Sequence, residues 1–300
     1  MDAPEKAIMK KRKEAVSLKI RRIWAVYFSP VAQTGKMVCK IAQAAGKAAG
    51  SIPVNVLDWT LPQARQEMLT FDEGDLVVLG VPTYAGRVPN KLLPFVKDFI
   101  KGNGAFGAAV VTYGNRSFDD SLMELFSCME ENDFLMLGAA AFVCRHVFSE
   151  KLAPERPSGE DFLQAENFGK ALVEYTEKND NPEFLIRSQI PGRNPVGPYY
   201  VPKGTDGKPA VFLKAKPKTR KELCDDCGIC AAVCPMGCFS GGDFKKAEGI
   251  CIKCQACIHR CPKGAKYFDD EAFLSHVSML EEHFADRYPA NEICLAGGEK

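Results

Sequence analysis

No stretch of this chain is apolar for long enough to cross a bilayer. The longest run, LMLGAAAFVC, is about half of the roughly 20 residues that a spanning helix needs. A leader-type apolar core is missing as well. The opening MDAPEKAIMKKRKEAV carries charges throughout and reads as a solvated extension, not a secretory signal. Excess charge of one sign is missing too: 39 Lys and Arg against 38 Asp and Glu leave +1, too little to draw in nucleic acid or an anionic membrane surface. The expectation is a cytoplasmic protein with no membrane span and no nucleic-acid partner. What is present is core-forming material: 300 residues, 46% of them hydrophobic, enough for one large domain or two ordinary ones.

The 13 cysteines are not expected to form disulfides in a reducing compartment, and their spacing points to metal or redox chemistry. They follow a region of different character. From Arg21 to about Asn179, short apolar segments alternate with amphipathic ones. RRIWAVYF, IPVNVLD, DLVVLGV, FGAAVVTY and LGAAAFV are nearly continuous in apolar character, as parallel strands covered on both faces are. Helical stretches such as GKMVCKIAQAAGKAA, NKLLPFVKDFI, DDSLMELFSCMEEN and GEDFLQAENFGKALVEYTEK lie between or after them. Five βα units in series predict an α/β, doubly wound, five-stranded parallel sheet in the flavodoxin-like order, with its ligand beyond the C-terminal strand ends. The rhythm stops near Asn181. Seven of the 19 prolines fall between there and Leu223, which predicts an extended connector draped over the domain. The expected organisation is an N-terminal extension (1–20), the sheet domain (21–180), a proline-rich linker (181–222), a cysteine domain (223–270), and a helix with a tail (271–300).

Within the cysteine domain, Cys224, Cys227, Cys230 and Cys234-Pro235 are spaced C-x2-C-x2-C-x3-C-P, and Cys251, Cys254, Cys257 and Cys261-Pro262 repeat that spacing. This is the run of bacterial ferredoxins with two [4Fe-4S] clusters, in which the fourth cysteine of each run ligates the other cluster. Three thiolates in a tight loop clasp three corners of a cubane, and the proline sends the chain across. One cluster is therefore expected on Cys224, Cys227, Cys230 and Cys261, the other on Cys251, Cys254, Cys257 and Cys234. Structural zinc, which takes separated cysteine pairs in a tetrahedron, fits this spacing poorly. The echo of CPMGCF in CPKGAKYF predicts pseudo-two-fold symmetry in a small α+β electron-transfer module.

The loop YFSPVAQTGKM poses a separate question. Its Thr34-Gly35-Lys36 looks like the end of a nucleotide-binding P-loop, but that motif needs an early glycine and a hydroxyl after the lysine. Pro30 and Met37 stand there instead. A flavin phosphate asks only for hydroxyls and amides at a helix N-terminus. Ser29, Gln33 and Thr34, with the amides through Gly35 and Lys36, supply them.

With these stretches in view, the chain resembles flavodoxin-like proteins fused to a C-terminal two-cluster ferredoxin, a family of anaerobes. The likeness covers nearly everything after about residue 20. Besides the cysteines it rests on the loop at Phe28–Pro30, PTYAGRVP (Pro82–Pro89), YGNRSFDD (Tyr113–Asp120) and ERPSGED (Glu155–Asp161). Val31 and Ala32 stand where the family has Thr and Gly, and Gln33 replaces another hydroxyl, which weakens the phosphate cradle. The resemblance implies FMN at the sheet edge, with Thr83, Tyr84, Ala85 and Gly86, and Thr112, Tyr113, Gly114, Asn115 and Arg116, around the ring. Tyr84 and Tyr113 are candidates to flank it, and Gly86 and Gly114 to let the backbone approach.

Arg87 and Arg116 are candidates to stabilise reduced flavin or to hold an anionic substrate, against pairing with Asp119 or Asp120. His146 is a candidate proton relay against a structural role, and Arg156 a candidate for the same site against a loop cap. Cys39 and Cys128 read as core residues, Cys238 as packing beside a cluster, Cys144 as a redox-thiol candidate, and Cys294 as part of the tail. The reading is intramolecular electron transfer between FMN and two [4Fe-4S] clusters, in a redox carrier or a flavin-dependent oxidoreductase. The alternatives are a ferredoxin-fed reductase of a small anionic substrate and a flavin-free redox sensor. Eleven Lys and Arg against seven Asp and Glu between Lys214 and Asp270 would suit an acidic redox partner such as a free ferredoxin, or would offset the cluster charge.

Overall fold

The computed structural model describes residues 19–239 and 243–298. The expected extension at 1–20 lies almost wholly outside the described residues. All five expected strands form: β1 (Arg22–Tyr27), β2 (Val54–Asp58), β3 (Asp75–Pro82), β4 (Phe106–Tyr113) and β5 (Leu135–Val143). Each pairs parallel to its neighbours in the order β2-β1-β3-β4-β5, the flavodoxin-like order of a doubly wound sheet. The helices are α1 (Gln33–Ala48), α2 (Leu93–Asp98), α3 (Ser121–Glu131) and α4 (Gly159–Lys178). Met37, Val38 and Ile41 of α1 and Phe168 and Leu172 of α4 cover one face. Val96 of α2 and Leu122, Leu125 and Phe126 of α3 cover the other. The central strands β3, β4 and β5 are buried almost throughout, which is why they read as unbroken apolar runs.

In the central sheet one strand was not expected. Glu292–Leu295, β6, pairs antiparallel with β5, so the tail that carries Cys294 is a sheet edge. The connector has little regular structure beyond a 3-10 turn at Arg187–Gln189, and it is laid along the sheet domain by specific bonds. The Leu185 amide donates to Met136 O at 2.9 Å, Arg187 pairs with Glu130 and Glu131, and the buried Asp120 accepts from Arg193 and from the Gly197 amide. Among the described residues no helix is long and apolar enough to cross a membrane.

The cysteine region is held by a two-residue antiparallel ladder, Lys218–Thr219 against Lys266–Tyr267, and by one-turn helices α5 (Ile229–Ala232) and α6 (Ala256–His259). The sequence echo is visible in the backbone. Left-handed residues recur at the offset that separates Cys224 from Cys251: Asp226 with Lys253, Gly228 with Gln255, and Gly237 with Gly264. Helix α7 (Glu271–Phe284) follows.

Arg156 serves the frame. It forms a forked pair with Asp161, which also accepts from the Ser158 amide in a capping box at the start of α4. Asn291, just before β6, donates to the same carboxylate at 2.7 Å. Burial alone would raise the Asp161 carboxyl, but these bonds, with Arg156 the largest contributor, hold it below the usual carboxylate range. A depressed folded-state pKa contributes stability above the unfolded pKa that is lost as pH falls through the folded one. Asp161→Asn is therefore expected to lower stability by about 2 kcal/mol at neutral pH, with the gap to wild type closing below about pH 4. Urea melts across that range would show it.

Candidate functional site

The loops that leave β1, β3, β4 and β5 all emerge at the C-terminal edge of the sheet and border one cleft of about 580 Å³, within the range of ligand sites. The cleft has a roof. Tyr199, Tyr200, Phe212 and Leu213 of the connector, Ile250 to Lys253 of the second cysteine run, and His276 of α7 complete its walls.

In the first loop, Ala32 is left-handed (φ 65°) and precedes α1 without a side-chain cap. The turn that glycine would make is thus kept by alanine, at some conformational cost. Ser29 Oγ accepts from the Gly35 amide at 2.9 Å, and the Lys36 amide returns to Ala32 O at 3.1 Å. The amides of Gln33 and Thr34 have no partner among the described residues and stand at the positive end of a 16-residue helix, a ready anion site. The Thr34 hydroxyl is already bonded to that of Thr112, at 2.7 Å. Ser29, Gln33, Thr34 and Thr112 line the cleft, whereas Gly35 and Lys36 do not. Gly35 packs instead against the Tyr27 ring.

The second loop brings Thr83, Tyr84, Ala85 and Gly86 to the cleft. It is a tight turn closed by bonds between Tyr84 and Arg87, with positive φ at Ala85 and Gly86. Thr83 Oγ1 is buried and has no partner. Burial raises the Tyr84 hydroxyl pKa well above its usual value, with added repulsion from Cys254 and Cys251. Arg87, a candidate for ligand contact or for pairing with Asp119 or Asp120, does not line the cleft and pairs with neither carboxylate. It forks onto Glu124 and stacks on Tyr199 at 4.8 Å, which fastens the connector.

From the third loop Tyr113, Gly114 and Arg116 line the cleft. Arg116 is backed by Asp119 and lies 4.0 Å from the centre of the Tyr200 ring. The Asn115 side chain turns away and donates to Phe284 O and Arg287 O at the end of α7. Gly114 does allow a close approach, but by His146: a Cβ there would meet the His146 ring at 2.5 Å. Burial lowers His146 to a pKa of about 3, with help from His276 and Arg116. Its Nδ1 accepts from the Phe148 amide at 3.1 Å, which leaves a neutral ring with its proton on Nε2. Burial therefore disfavours the imidazolium at neutral pH. Cys144 also borders the cleft, and burial pushes its thiol up to about 12, which disfavours the thiolate form.

Two smaller cavities lie in the cysteine region. Cys234, Cys251, Cys254 and Cys257 line one, with Cys238 beside them. Cys224, Cys227, Cys230 and Cys261 line the other. Each cavity thus gathers three cysteines of one run and the fourth of the other. Among the described residues no three Cys, His, Asp or Glu side chains draw close enough to hold a single metal ion. The repeat extends to the bonds these cysteines make. The Cys238 amide donates to Cys234 Sγ at 3.2 Å, and the Ala265 amide to Cys261 Sγ at 3.3 Å. The first cavity also contains Gln255, 6% exposed, whose Nε2 has no partner. The cleft and this cavity share the residues Cys251, Ile252 and Lys253 as a common wall.

Two residues that hold the two regions together were not singled out from the sequence. Arg65 is buried, donates to the carbonyls of Trp59, Thr60 and Pro235, and lies over the Phe28 and Phe95 rings. His259 of α6 bonds to Val147 O at 3.0 Å.

No protein-family model and no curated protein matches this chain. Solved structures do. A flavodoxin from the domain Archaea is 15% identical, with 52% of this chain and 99% of that one covered and a TM-score of 0.39. The rubredoxin:oxygen oxidoreductase of Desulfovibrio gigas is 13% identical over 58% of this chain, TM-score 0.37. The flavodiiron protein of Giardia intestinalis is 19% identical over 61%, TM-score 0.31. The chain spans 39% and 43% of the lengths of those last two.

Proposed function

We propose that this protein transfers electrons between two [4Fe-4S] clusters and an FMN bound in the roofed cleft. The carrying observation is the shared wall, Cys251 to Lys253, with the cleft on one side and the cavity lined by Cys234, Cys251, Cys254 and Cys257 on the other. Cys224, Cys227, Cys230 and Cys261 would hold the outer cluster, and Cys251, Cys254, Cys257 and Cys234 the inner one. Four cysteines lining one cavity, three from one run and one from the other, suit a cubane better than one zinc ion held by separated cysteine pairs. The Gln33 and Thr34 amides would hold the flavin phosphate, with the ring beside Tyr84 and Tyr113. The buried, unpaired Thr83 Oγ1 fits a polar ligand atom, since such a group rarely stays without a partner. Bound FMN supplies one- and two-electron chemistry.

The side chains divide the remaining work. Tyr84 and Ile252 exclude water from the wall. The exposed Cys227 puts the outer set within reach of a redox partner protein, which would supply or take the electrons. A second reading, reduction of a small anionic substrate, draws on the charge of the cleft. Lys91, Arg116, Arg145 and Lys253 line it, and no described Asp or Glu does.

The test is FMN titration of protein reconstituted anaerobically with iron and sulfide, followed by loss of flavin fluorescence and then by stepwise reduction with dithionite. One FMN per chain should bind, and it should be reduced as the iron–sulfur absorbance bleaches. Thr83→Val should weaken FMN binding about tenfold, the worth of one hydrogen bond. If FMN never binds while the iron–sulfur absorbance bleaches normally, the flavin half of the reading fails.

A further inference from the structure

The two halves of the cysteine repeat match in backbone but differ at one informative position. Where the first run has Gly228, at φ 75°, the second has Gln255, at φ 63°. This left-handed conformation suits glycine and disfavours a side chain. Gly228 is therefore the unremarkable partner, and Gln255 needs a reason. Its side chain is 6% exposed and lines the inner cavity with Cys234, Cys251, Cys254 and Cys257. Its Nε2 finds no acceptor, a state that buried amides rarely keep. The first run, with a glycine at this position, has no such side chain to offer the outer cavity.

We infer that Gln255 donates an Nε2 hydrogen bond to the sulfur of the inner cluster and sets the direction of electron flow. This rests on the cluster reading given above. Reduction adds negative charge to a cluster, and a hydrogen bond to its sulfur stabilises that charge, so the reduction potential rises. Gln255 thus biases a shared electron from the exposed outer set toward the buried inner set, which adjoins the cleft. The bias moves no atom or proton: one electron leaves the outer site for each that the inner site gains, and an external one-electron reductant refills the outer site.

The decisive experiment is a potentiometric titration of the reconstituted full-length protein, read by electron paramagnetic resonance, for wild type, Gln255→Met and Gln255→Gly. Gln255→Gly restores the residue of the first run and relieves the backbone, so it guards against a Gln255→Met chain that fails to fold. Both variants should shift the electron distribution between the clusters about tenfold toward the outer one, which is about 59 mV for one electron. The higher midpoint should fall while the lower one stays. If both variants hold two clusters with unchanged midpoints, if both midpoints move together, or if the lower one moves, the inference is overturned. Iron and sulfide analysis comes first. A wild type that cannot hold two clusters would overturn the cluster reading itself, a failure distinct from any result on Gln255.

Discussion

Cys261→Ala is expected to cost the protein the outer cluster, and Cys234→Ala the inner one, although each residue lies in the other cluster's sequence run. In both variants iron and acid-labile sulfide should fall to about half of wild type, if, as proposed, each set supplies all four ligands of one cubane. The cavities carry the crossing: Cys261 lines the cavity of Cys224, Cys227 and Cys230, and Cys234 that of Cys251, Cys254 and Cys257. Iron content alone would not tell crossed from local pairing, but transfer to the flavin would. The inner cavity shares its wall with the cleft and the outer one does not. Cys234→Ala should therefore abolish reduction of bound FMN by the remaining cluster, while Cys261→Ala should leave an inner cluster that still equilibrates with it. The reverse result would mean that each run closes on its own fourth cysteine.

Much of this was legible in the sequence, for identifiable reasons. Parallel strands buried on both faces must be apolar at every position, so β3, β4 and β5 could be read without periodicity. The cysteine spacing suggested two sets, and in the structure those residues line two separate cavities. β6 was not legible: four residues on a sheet edge, half of them exposed, carry no burial pattern, and their pairing depends on Asn291 and Arg156 far apart in sequence. Side-chain allegiance was legible least. Arg87, Asn115 and Arg156 fall in loops at the right edge of the sheet, yet each is spent on holding the connector, α7 or α4 in place. Sequence position gave their neighbourhood and could not give their partners, since Glu124, Phe284 and Asp161 are equally plausible neighbours only once the chain has folded. Gln255 had a readable signal that composition hides: it breaks a repeat at a position where glycine stands in the other half.

Arg65→Ala should be among the most damaging single changes outside the cysteines, and its damage should be both structural and electronic. Arg65 is 6% exposed with its guanidinium between two phenylalanine rings, 5.5 and 5.4 Å from their centres. Burial lowers its pKa, so what keeps it in place is a set of carbonyl acceptors. Two of these belong to its own sheet domain, and the third is Pro235 O, at 2.6 Å, next to the crossing cysteine Cys234. Truncation leaves three buried carbonyls without their donor and removes both ring contacts; relief from burying a charge offsets part of this, and a loss of about 3 kcal/mol is expected. Urea melts would measure it. The structural loss should fall on the seam between the sheet and the inner cysteine set, so electron transfer across the shared wall should slow even where both cofactors remain bound. Arg65→Lys separates the two effects. A lysine restores a cation near Cys234 but cannot fork onto three carbonyls, so it should recover the inner cluster's potential more fully than it recovers stability. If Arg65→Lys instead restored both alike, the fork to Pro235 would be incidental, and the seam would be held by packing around Ile252 and by His259 on Val147.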